Sequence, residues 1–343
     1  MTDSDILLEV KNLKTHFFLD EGVVRAVDGV DFTVHRGKTI GIVGESGCGK
    51  SVTAYSILQL VGRPGRIVEG QILLHRRNGA DWEGGGEEVI DIAALPLNSR
   101  RLRDIRGKDI AMIFQEPMTS LSMMHTVGFQ IIEAILLHMP LTKEQARERA
   151  IEMLRLVGIP KPEQRVDDYP FQLSGGMRQR AMIAMALSCN PSLLIADEPT
   201  TALDVTTQAQ ILELMLRLQE EFGMAIMMIT HDLGVVAEIC DDVVVMYLGE
   251  VVERGDVDSI FHDPQHPYTQ ALLHSIPRLG HSKEGRLNPI VGSVPDPYNR
   301  PPGCPFHPRC AHYMPGRCDV VHPDLIEFGD GRAVRCLLYV DEA

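Results

Sequence analysis

The segment GESGCGKS at residues 44–51 has the residue types and spacing that bind a phosphate. It fits the pattern G-x-x-x-x-G-K-S, follows the apolar run TIGIV at 39–43, and precedes a predicted helix from Lys50 to about Leu60. Glycines let the backbone wrap closely around an anion, and the N–H groups at a helix start attract it. In such a loop, Lys50 would reach the β- and γ-phosphates and the Ser51 hydroxyl would bind Mg²⁺. The segment therefore predicts a site for the phosphates of a nucleotide.

Two adjacent acids end an apolar run further along the chain, in LLIADEPT at residues 193–200. If this run is a strand, Asp197 at its end would hold Mg²⁺, directly or through water. Glu198 would then polarise a water aimed at the γ-phosphorus, because phosphoryl transfer depends mainly on positioning and charge stabilisation. Taken alone, the pair is equally well a solvated strand end. Downstream of a phosphate loop, the pair favours nucleotide hydrolysis.

Four of the seven cysteines lie in the last 40 residues, at Cys304, Cys310, Cys318 and Cys336. Their spacing is C-x5-C-x7-C-x17-C, without the close CxxC pairs that would make a strong metal motif. In a reducing compartment such a cluster indicates a metal more than disulfides. Zinc would suit four thiolates, or a mixture with the histidines of this region, which are His307, His312 and His322. Free thiols are the other alternative.

Composition excludes some classes of function. The formal net charge of −14 over 343 residues argues against non-specific nucleic-acid binding, which needs a basic face. No apolar run approaches the roughly 20 residues that span a bilayer. The N-terminus, MTDSDILLEV, lacks the basic and apolar regions of a signal peptide. We therefore expect a cytoplasmic protein, and any membrane part of its process would come from other chains.

The pattern along the chain predicts the elements that position these residues. Short strands over 5–43 indicate an antiparallel β-subdomain, and 77–88 is predicted to be an exposed loop insertion carrying Trp82. A buried strand at 110–115 precedes helical periodicity over 128–172. After Ser174, strands alternate with helices, which is typical of a parallel α/β sheet. From about Arg278, Pro, Gly and Cys dominate and mark a separate C-terminal segment.

The segment LSGGMRQR at 173–180 resembles the signature motif of ABC ATPases. Its neighbours agree, since Gln115 is similar to the Q-loop residue, Asp204 to that of the D-loop, and His231 to the switch histidine. The resemblance implies an α/β fold, the P-loop NTPase fold of the ABC nucleotide-binding domain, with an antiparallel β-subdomain, a helical subdomain and a Cys-rich C-terminal extension. The implied cassette covers 1–277, with its helical subdomain at about 116–172, and the extension covers 278–343.

The resemblance also implies a site shared by two cassettes that face head to tail. ATP held by the phosphate loop of one cassette would contact Ser174 and Gly176 of the other. Glu198, His231 and Gln115 would be catalytic, and Mg²⁺ would lie near Ser51, Gln115 and Asp197. The adenine would stack on Phe17, with Phe18 as the alternative. The implied nucleotide contacts are Phe17, Gly44, Glu45, Ser46, Gly47, Cys48, Gly49, Lys50, Ser51, Val52, Ser174, Gly175, Gly176 and Asp204.

The C-terminal part resembles the ATPase subunits of bacterial di- and oligopeptide importers, through HDPQHPYTQALLHSIP at 262–277 and then GSVPDP and PPGCPFHPRC. That resemblance implies a second, related ATPase chain, two transmembrane permease subunits and an extracytoplasmic substrate-binding protein, with this chain at the cytoplasmic face of the membrane. It also implies a [4Fe–4S] cluster on the four cysteines.

Alternatives remain at this point. The same machinery also takes up nickel or oligosaccharides, and ABC ATPases outside transport or non-hydrolysing regulators are more distant possibilities. The helical subdomain and the Q-loop region would form a groove that docks a coupling helix of the membrane subunit. Met118, Met123 and Met124 lie near it, although methionines in such a pattern more often belong to a core.

Overall fold

The computed structural model describes residues 5–77, 87–115, 120–201, 203–275, 290–329 and 331–340. Trp82, Met118 and the predicted boundary between residues 277 and 278 lie outside these ranges. The division into 1–277, 116–172 and 278–343 therefore stays a prediction. The predicted loop insertion at 77–88 is described only at its two ends, which belong to strands.

The strands, in chain order, are β1 (Ile6–Leu19), β2 (Gly22–His35), β3 (Thr39–Val43), β4 (Gly65–Arg77), β5 (Glu87–Asp91), β6 (Ile110–Ile113), β7 (Leu193–Asp197), β8 (Ala225–Ile229), β9 (Asp242–Tyr247), β10 (Glu250–Asp256), β11 (Ile326–Glu327) and β12 (Ala333–Val334). The α-helices are α1 (Lys50–Ile57), α2 (Arg100–Asp104), α3 (Val127–His138), α4 (Lys143–Leu156), α5 (Pro162–Arg165), α6 (Gly175–Leu187), α7 (Val205–Phe222), α8 (Leu233–Ile239), α9 (Val257–His262) and α10 (Pro267–His274). Single-turn 3₁₀ segments occur at Pro170–Gln172, His307–Arg309 and Leu337–Tyr339.

The chain divides into two compact units, each built from several segments. Unit 1 comprises Met1–Leu7, Val34–Lys38 and Ala94–Met228, and unit 2 comprises Leu8–Thr33, Thr39–Ala93 and Ile229–Ala343.

Unit 1 contains a strand pair of the predicted parallel type, together with the helices that follow the Q-loop. β6 pairs in parallel with β7, in register from Ile110 opposite Leu193 to Ile113 opposite Ala196. Every residue of β7 is buried, as expected for a parallel strand covered on both faces. Helix α4 begins at a capping box in which Thr142 accepts from the N–H of Gln145 and the Gln145 side chain accepts from the Thr142 N–H.

Unit 2 contains the predicted antiparallel sheet, with the strand order β2-β1-β4-β5. β4 and β5, which the sequence pattern left unassigned, complete it, and β1 pairs with β4 from Leu8 opposite Leu74 to Phe17 opposite Gly65. Because this sheet places Phe17 across from a glycine, the ring has room to lie over the neighbouring strand.

Unit 2 also contains strands in the order β11-β12-β10-β9-β3. β3 pairs with β9 in parallel, and β10 pairs with β9 in antiparallel. β12 pairs with β10, with Glu253 opposite Val334 and Arg254 opposite Ala333. The Cys-rich C-terminal segment therefore contributes strands to the sheet that carries the phosphate loop.

Within the ranges described, no helix is both long enough and apolar enough to cross a membrane.

Candidate functional site

The phosphate loop, residues 44–51, joins the end of β3 to the start of α1, as the sequence predicts. Every residue of β3 is buried, so the loop starts from a fixed point. Gly44 has φ +149°, and a Cβ there would lie 2.2 Å from the carbonyl oxygen of Met246. Gly47 has φ +80°, but a Cβ there would meet open space. The backbone therefore needs glycine at both positions, and at Gly44 close packing adds a second reason.

Lys50 folds back onto the loop that precedes it. Its side chain is buried, and Nζ donates to the carbonyl oxygens of Gly44, at 2.7 Å, and Glu45, at 3.1 Å. Burial raises the pKa of the neighbouring Cys48 thiol, so this group is neutral near pH 7. Gly49, which has no side chain, caps the N-terminus of α1. A lysine head beside a helix N-terminus is an arrangement that binds an anion.

The two candidate adenine platforms differ in their surroundings. Phe17 is half-buried, and a Cβ at Gly65 would lie 2.6 Å from its ring. Phe18 is 40% exposed, and the guanidinium of Arg66 lies 4.4 Å from the centre of its ring. Arg66 thus covers a face of Phe18. Phe17 keeps its place as the predicted platform.

The predicted catalytic acid and the Q-loop glutamine meet in unit 1. Asp197 ends β7 and is fully buried, and Glu198 follows with φ +47°, in the left-handed region that non-glycine residues seldom occupy. Gln115 donates from Nε2 to Oε2 of Glu198 at 3.2 Å. The Thr201 hydroxyl donates to the same oxygen at 2.9 Å. Two donors therefore orient a carboxylate that the backbone holds in an uncommon conformation.

The signature segment begins a helix of unit 1. Ser174 is the N-cap of α6, and its hydroxyl accepts from the N–H of Met177 at 3.3 Å. Gly175 is exposed and has open space around it, and a Cβ at Gly176 would lie 3.1 Å from Thr207. The start of this helix is thus open at its first residue, as a helix end that receives an anion must be.

A second capped helix begins at Asp204, also in unit 1. The Asp204 carboxylate accepts from the N–H of Thr207 at 2.9 Å and from its hydroxyl at 2.7 Å. These hydrogen bonds, the one from the N–H first, lower the pKa of Asp204. The side chain is therefore ionised and held in place at the start of α7.

His231 lies in unit 2, on the loop that follows β8. It is exposed. The N–H of the preceding residue, Thr230, lies 3.4 Å from the carbonyl oxygen of Ile42 on β3. The predicted switch histidine is thus one residue away from a contact with the strand that carries the phosphate loop.

The four C-terminal cysteines line one small cavity in unit 2, together with His307 and His312. All four are free thiols, and burial raises the pKa of Cys304 to about 12 and that of Cys336 to about 11. His322 faces elsewhere, with Nε2 at 3.0 Å from the carboxylate of Glu250.

This cavity brings the predicted donors together without forming a metal site. In the part of the chain that the structure describes, no group of three or more His, Cys, Asp or Glu side chains is arranged to hold a metal ion. The donor set has the chemistry of a metal site, but its geometry does not support the predicted iron–sulfur cluster.

Three residues with contacts to the site were absent from the sequence analysis. Thr201 bonds Glu198, as described above. Gln179, fully buried on α6, donates to the carbonyl of Pro199, directly after the acid pair. Arg309 pairs with Glu45 in the phosphate loop. Gln179 lies inside the signature segment, which could have signalled it, whereas Arg309 is 264 positions from its partner.

Comparison with known families gives two matches along this chain. Residues 27–201 match the family described as "ABC transporter", and residues 252–318 match "Oligopeptide/dipeptide transporter, C-terminal region". The second match includes Cys304, Cys310 and Cys318.

Similar proteins extend over nearly the whole chain. This chain is 51% identical to the oligopeptide transport ATP-binding protein AppD of Bacillus subtilis, and the match covers 98% of each chain. It is 49% identical to the dipeptide transport ATP-binding protein DppD of Escherichia coli, again covering 98% of each. Among solved structures, the dimeric bacterial ABC transporter cassette MJ0796 is 28% identical, with a TM-score of 0.61 over 73% of this chain and 99% of that one.

Proposed function

This chain belongs to the ABC transporter family and is an ATPase of that family, and we propose that it powers the import of di- and oligopeptides. The observation that carries the proposal is the near-full-length identity of about half with two peptide-transport ATP-binding proteins. The match of residues 252–318 to a peptide-transporter C-terminal region supports the same substrate class independently of the ATPase motifs.

The phosphate loop supplies the positive charge for ATP in this proposal. Lys50 is buried against the loop carbonyls, from which its ammonium group can turn to the β- and γ-phosphates. Mg²⁺, when bound, neutralises charge on those phosphates. The chain would hold it through the Ser51 hydroxyl, Asp197 and Gln115. The chemical class of these oxygens, two uncharged and one carboxylate, suits this ion.

Glu198 is the proposed general base. Its carboxylate receives hydrogen bonds from Gln115 and Thr201, so it is oriented before substrate arrives. Its proposed role is to align a water with the γ-phosphorus and accept its proton, and His231 would hold the γ-phosphate. ATP and water then give ADP and phosphate.

The second half of the site would come from a partner cassette. The similar cassette MJ0796 is dimeric, and one of its structures holds ADP and phosphate. The open start of α6, with Ser174 as its N-cap, suits contact with the γ-phosphate of the partner's ATP. Asp204, ionised at the start of α7, would lie at the dimer interface. The proposed partner is a related chain rather than a second copy.

Substitution of Glu198 tests the catalytic part of the proposal. In the assembled complex, Glu198→Gln is expected to lower kcat for ATP by about 100-fold or more, because the amide cannot accept the proton. ATP binding should remain, since the phosphate loop is untouched. Glu213→Gln, an exposed acid on α7, is the matched control and should turn over ATP normally. Undiminished turnover in Glu198→Gln would remove Glu198 from the mechanism.

The transport cargo is tested separately, in proteoliposomes with permease and binding protein. MgATP-dependent uptake of labelled di- and oligopeptides is the expected result. Uptake of nickel or an oligosaccharide with no peptide uptake would replace the substrate class and leave the ATPase intact.

An apolar face on unit 1 supports membrane-subunit docking at the cytoplasmic face of the membrane. Phe129, Leu136 and Leu137 of α3 are exposed, Leu137 by 72%, and line a groove of about 560 Å³ with Lys143 and Arg147 of α4. Exposed apolar groups of this kind mark an interaction surface. The proposed occupant is a coupling helix of the permease.

Leu137→Asp tests this docking. It should leave the fold of the ATPase unchanged, because Leu137 is mostly exposed, and should reduce copurification with the permease. Normal assembly would move the docking site elsewhere. Met124 is 82% exposed and Met123 is half-buried, so only Met124 could add to such a surface.

We also propose that the four C-terminal cysteines hold a metal, with a [4Fe–4S] cluster as the first choice and zinc as the second. Support comes from the donor chemistry of four free thiols around one cavity, because their arrangement, as described above, is not itself that of a metal site. Anaerobic purification followed by iron, sulfide and zinc analysis tests this proposal. The control is Cys240→Ser, which should keep the metal content of the wild type because that buried cysteine is not among the cavity residues. A colourless chain without iron or zinc would eliminate both metals.

A further inference from the structure

An arginine of the C-terminal segment pairs with the phosphate loop. Arg309 donates from its two terminal nitrogens to the two carboxylate oxygens of Glu45, at 2.7 and 2.9 Å. The Arg309 side chain is only 4% exposed and that of Glu45 is 25% exposed. The pair is therefore bidentate and largely desolvated, which is the strong form of this interaction.

The main chain of Glu45 is held by the same neighbourhood. Its N–H donates to the hydroxyl of Tyr268 at 2.9 Å. The Tyr268 ring packs against Tyr247 and against Phe306, with centroid distances of 4.7 and 5.3 Å. Phe306 also belongs to the C-terminal segment, three residues before Arg309. This segment thus supports Glu45 through its side chain and, by way of Tyr268, through its backbone.

Glu45 lies where its negative charge would affect the binding of an anion. It follows Gly44 in a loop that binds an anion, and its carbonyl oxygen accepts from Nζ of Lys50 at 3.1 Å. An unpaired carboxylate here would repel the triphosphate and would also be free to move the carbonyl that holds Lys50. The guanidinium of Arg309 stays charged, since its hydrogen bonds to Glu45 hold its pKa above the usual range.

We propose that Arg309 is a positioning residue for ATP binding, which neutralises and fixes Glu45 so that the phosphate loop receives the nucleotide. The C-terminal segment is then a working part of the nucleotide site rather than an attachment to it. The inference rests on the proposed function, because it requires MgATP to bind at residues 44–51. It does not depend on whether the cysteines hold a metal.

The test measures KM and kcat for ATP in the assembled complex. Arg309→Met should raise KM about tenfold, the effect of two like charges about 10 Å apart near a protein surface, and change kcat less than about threefold. Arg309→Lys keeps the positive charge but loses the bidentate hydrogen bonds of the guanidinium, and should raise KM about threefold. The matched control is Arg332→Met, elsewhere in the C-terminal segment, which breaks a pair with Asp263 and should leave KM at the wild-type value.

The double variant Arg309→Met with Glu45→Gln separates charge from structure. Removing both charges should return KM to within about threefold of wild type, whereas damage to the fold of the segment would not be rescued.

A wild-type KM in Arg309→Met, or a raised KM that Glu45→Gln leaves unchanged, would overturn the proposal. If Arg309→Met fails to fold, Arg309→Lys decides, and a wild-type KM there also overturns it. A wild-type complex that does not bind MgATP at all would instead defeat the proposed function.

Discussion

The two positive-φ glycines of the phosphate loop allow a stability prediction with an internal control. Gly47→Ala should cost about 1–2 kcal/mol, the usual price of a left-handed conformation for a residue with a Cβ, because the space around it is open. Gly44→Ala carries about 1–3 kcal/mol of backbone strain, and its Cβ would also lie 2.2 Å from the Met246 carbonyl oxygen. Moving that strand aside adds about 1–3 kcal/mol, which gives roughly 2–6 kcal/mol in total.

Thermal unfolding without nucleotide measures this difference. At about 2 °C per kcal/mol for a chain of this size, Gly44→Ala should unfold several degrees below Gly47→Ala. The shift produced by MgATP should also be smaller in Gly44→Ala, since displacement at β9 moves the loop that binds the nucleotide. Equal unfolding temperatures for the two variants would show that the loop relaxes around the added methyl group, contrary to the packing argument.

Substitutions at three further sites probe contacts that lie within unit 1 or within unit 2. Thr15→Val removes the buried 2.7 Å hydrogen bond to Ser56 and should lower the free energy of unfolding, measured by chemical denaturation, by about 1–2 kcal/mol. Thr15→Ser keeps the hydroxyl and should lower it less. Equal losses of stability in the two variants would assign the effect to packing. Thr142→Ala should destabilise α4 by about 1 kcal/mol by loss of its N-cap, and Thr142→Ser should restore it if the hydroxyl is responsible. Gln179→Ala should lower kcat but keep the KM for ATP within about threefold, because it loosens Pro199 beside the acid pair; a raised KM with normal kcat would contradict this.

Short-range motifs carried most of what the sequence could predict. The apolar run at 39–43 is β3 to the residue, and the helix predicted from Lys50 does begin there. It ends at Ile57 rather than near Leu60 because Gln59 has φ +49°, a left-handed conformation that ends a helix. Glutamine is not a residue type that indicates this conformation in a sequence. The catalytic roles of Gln115 and Glu198 stay predictions, and the structure joins the two side chains by a hydrogen bond.

Long-range pairing is what the sequence could not supply. β4 and β5 mix apolar and charged residues beside a polar, glycine-rich segment, so their alternation was too weak to assign, and they form strands because β1 offers a partner. The Glu45–Arg309 pair joins a loop and a single 3₁₀ turn, neither of which has a periodic pattern to place its side chains. The four cysteines, which crowd together in the sequence, also line one cavity, but their spacing could not specify the geometry that a metal requires.

The pairing of β12 with β10 limits how this protein can be shortened. The N–H of Arg335 also donates to the carbonyl of Val252 at 2.8 Å, so the last described residues pair with the middle of one side of β10. A truncation that removes residues 290–343 would expose that row of amide and carbonyl groups on a strand whose first four residues are buried in the intact chain. Exposed edge strands of this kind pair with strands of other chains, so the shortened ATPase should precipitate or self-associate during expression. The C-terminal segment is thus also a safeguard of solubility.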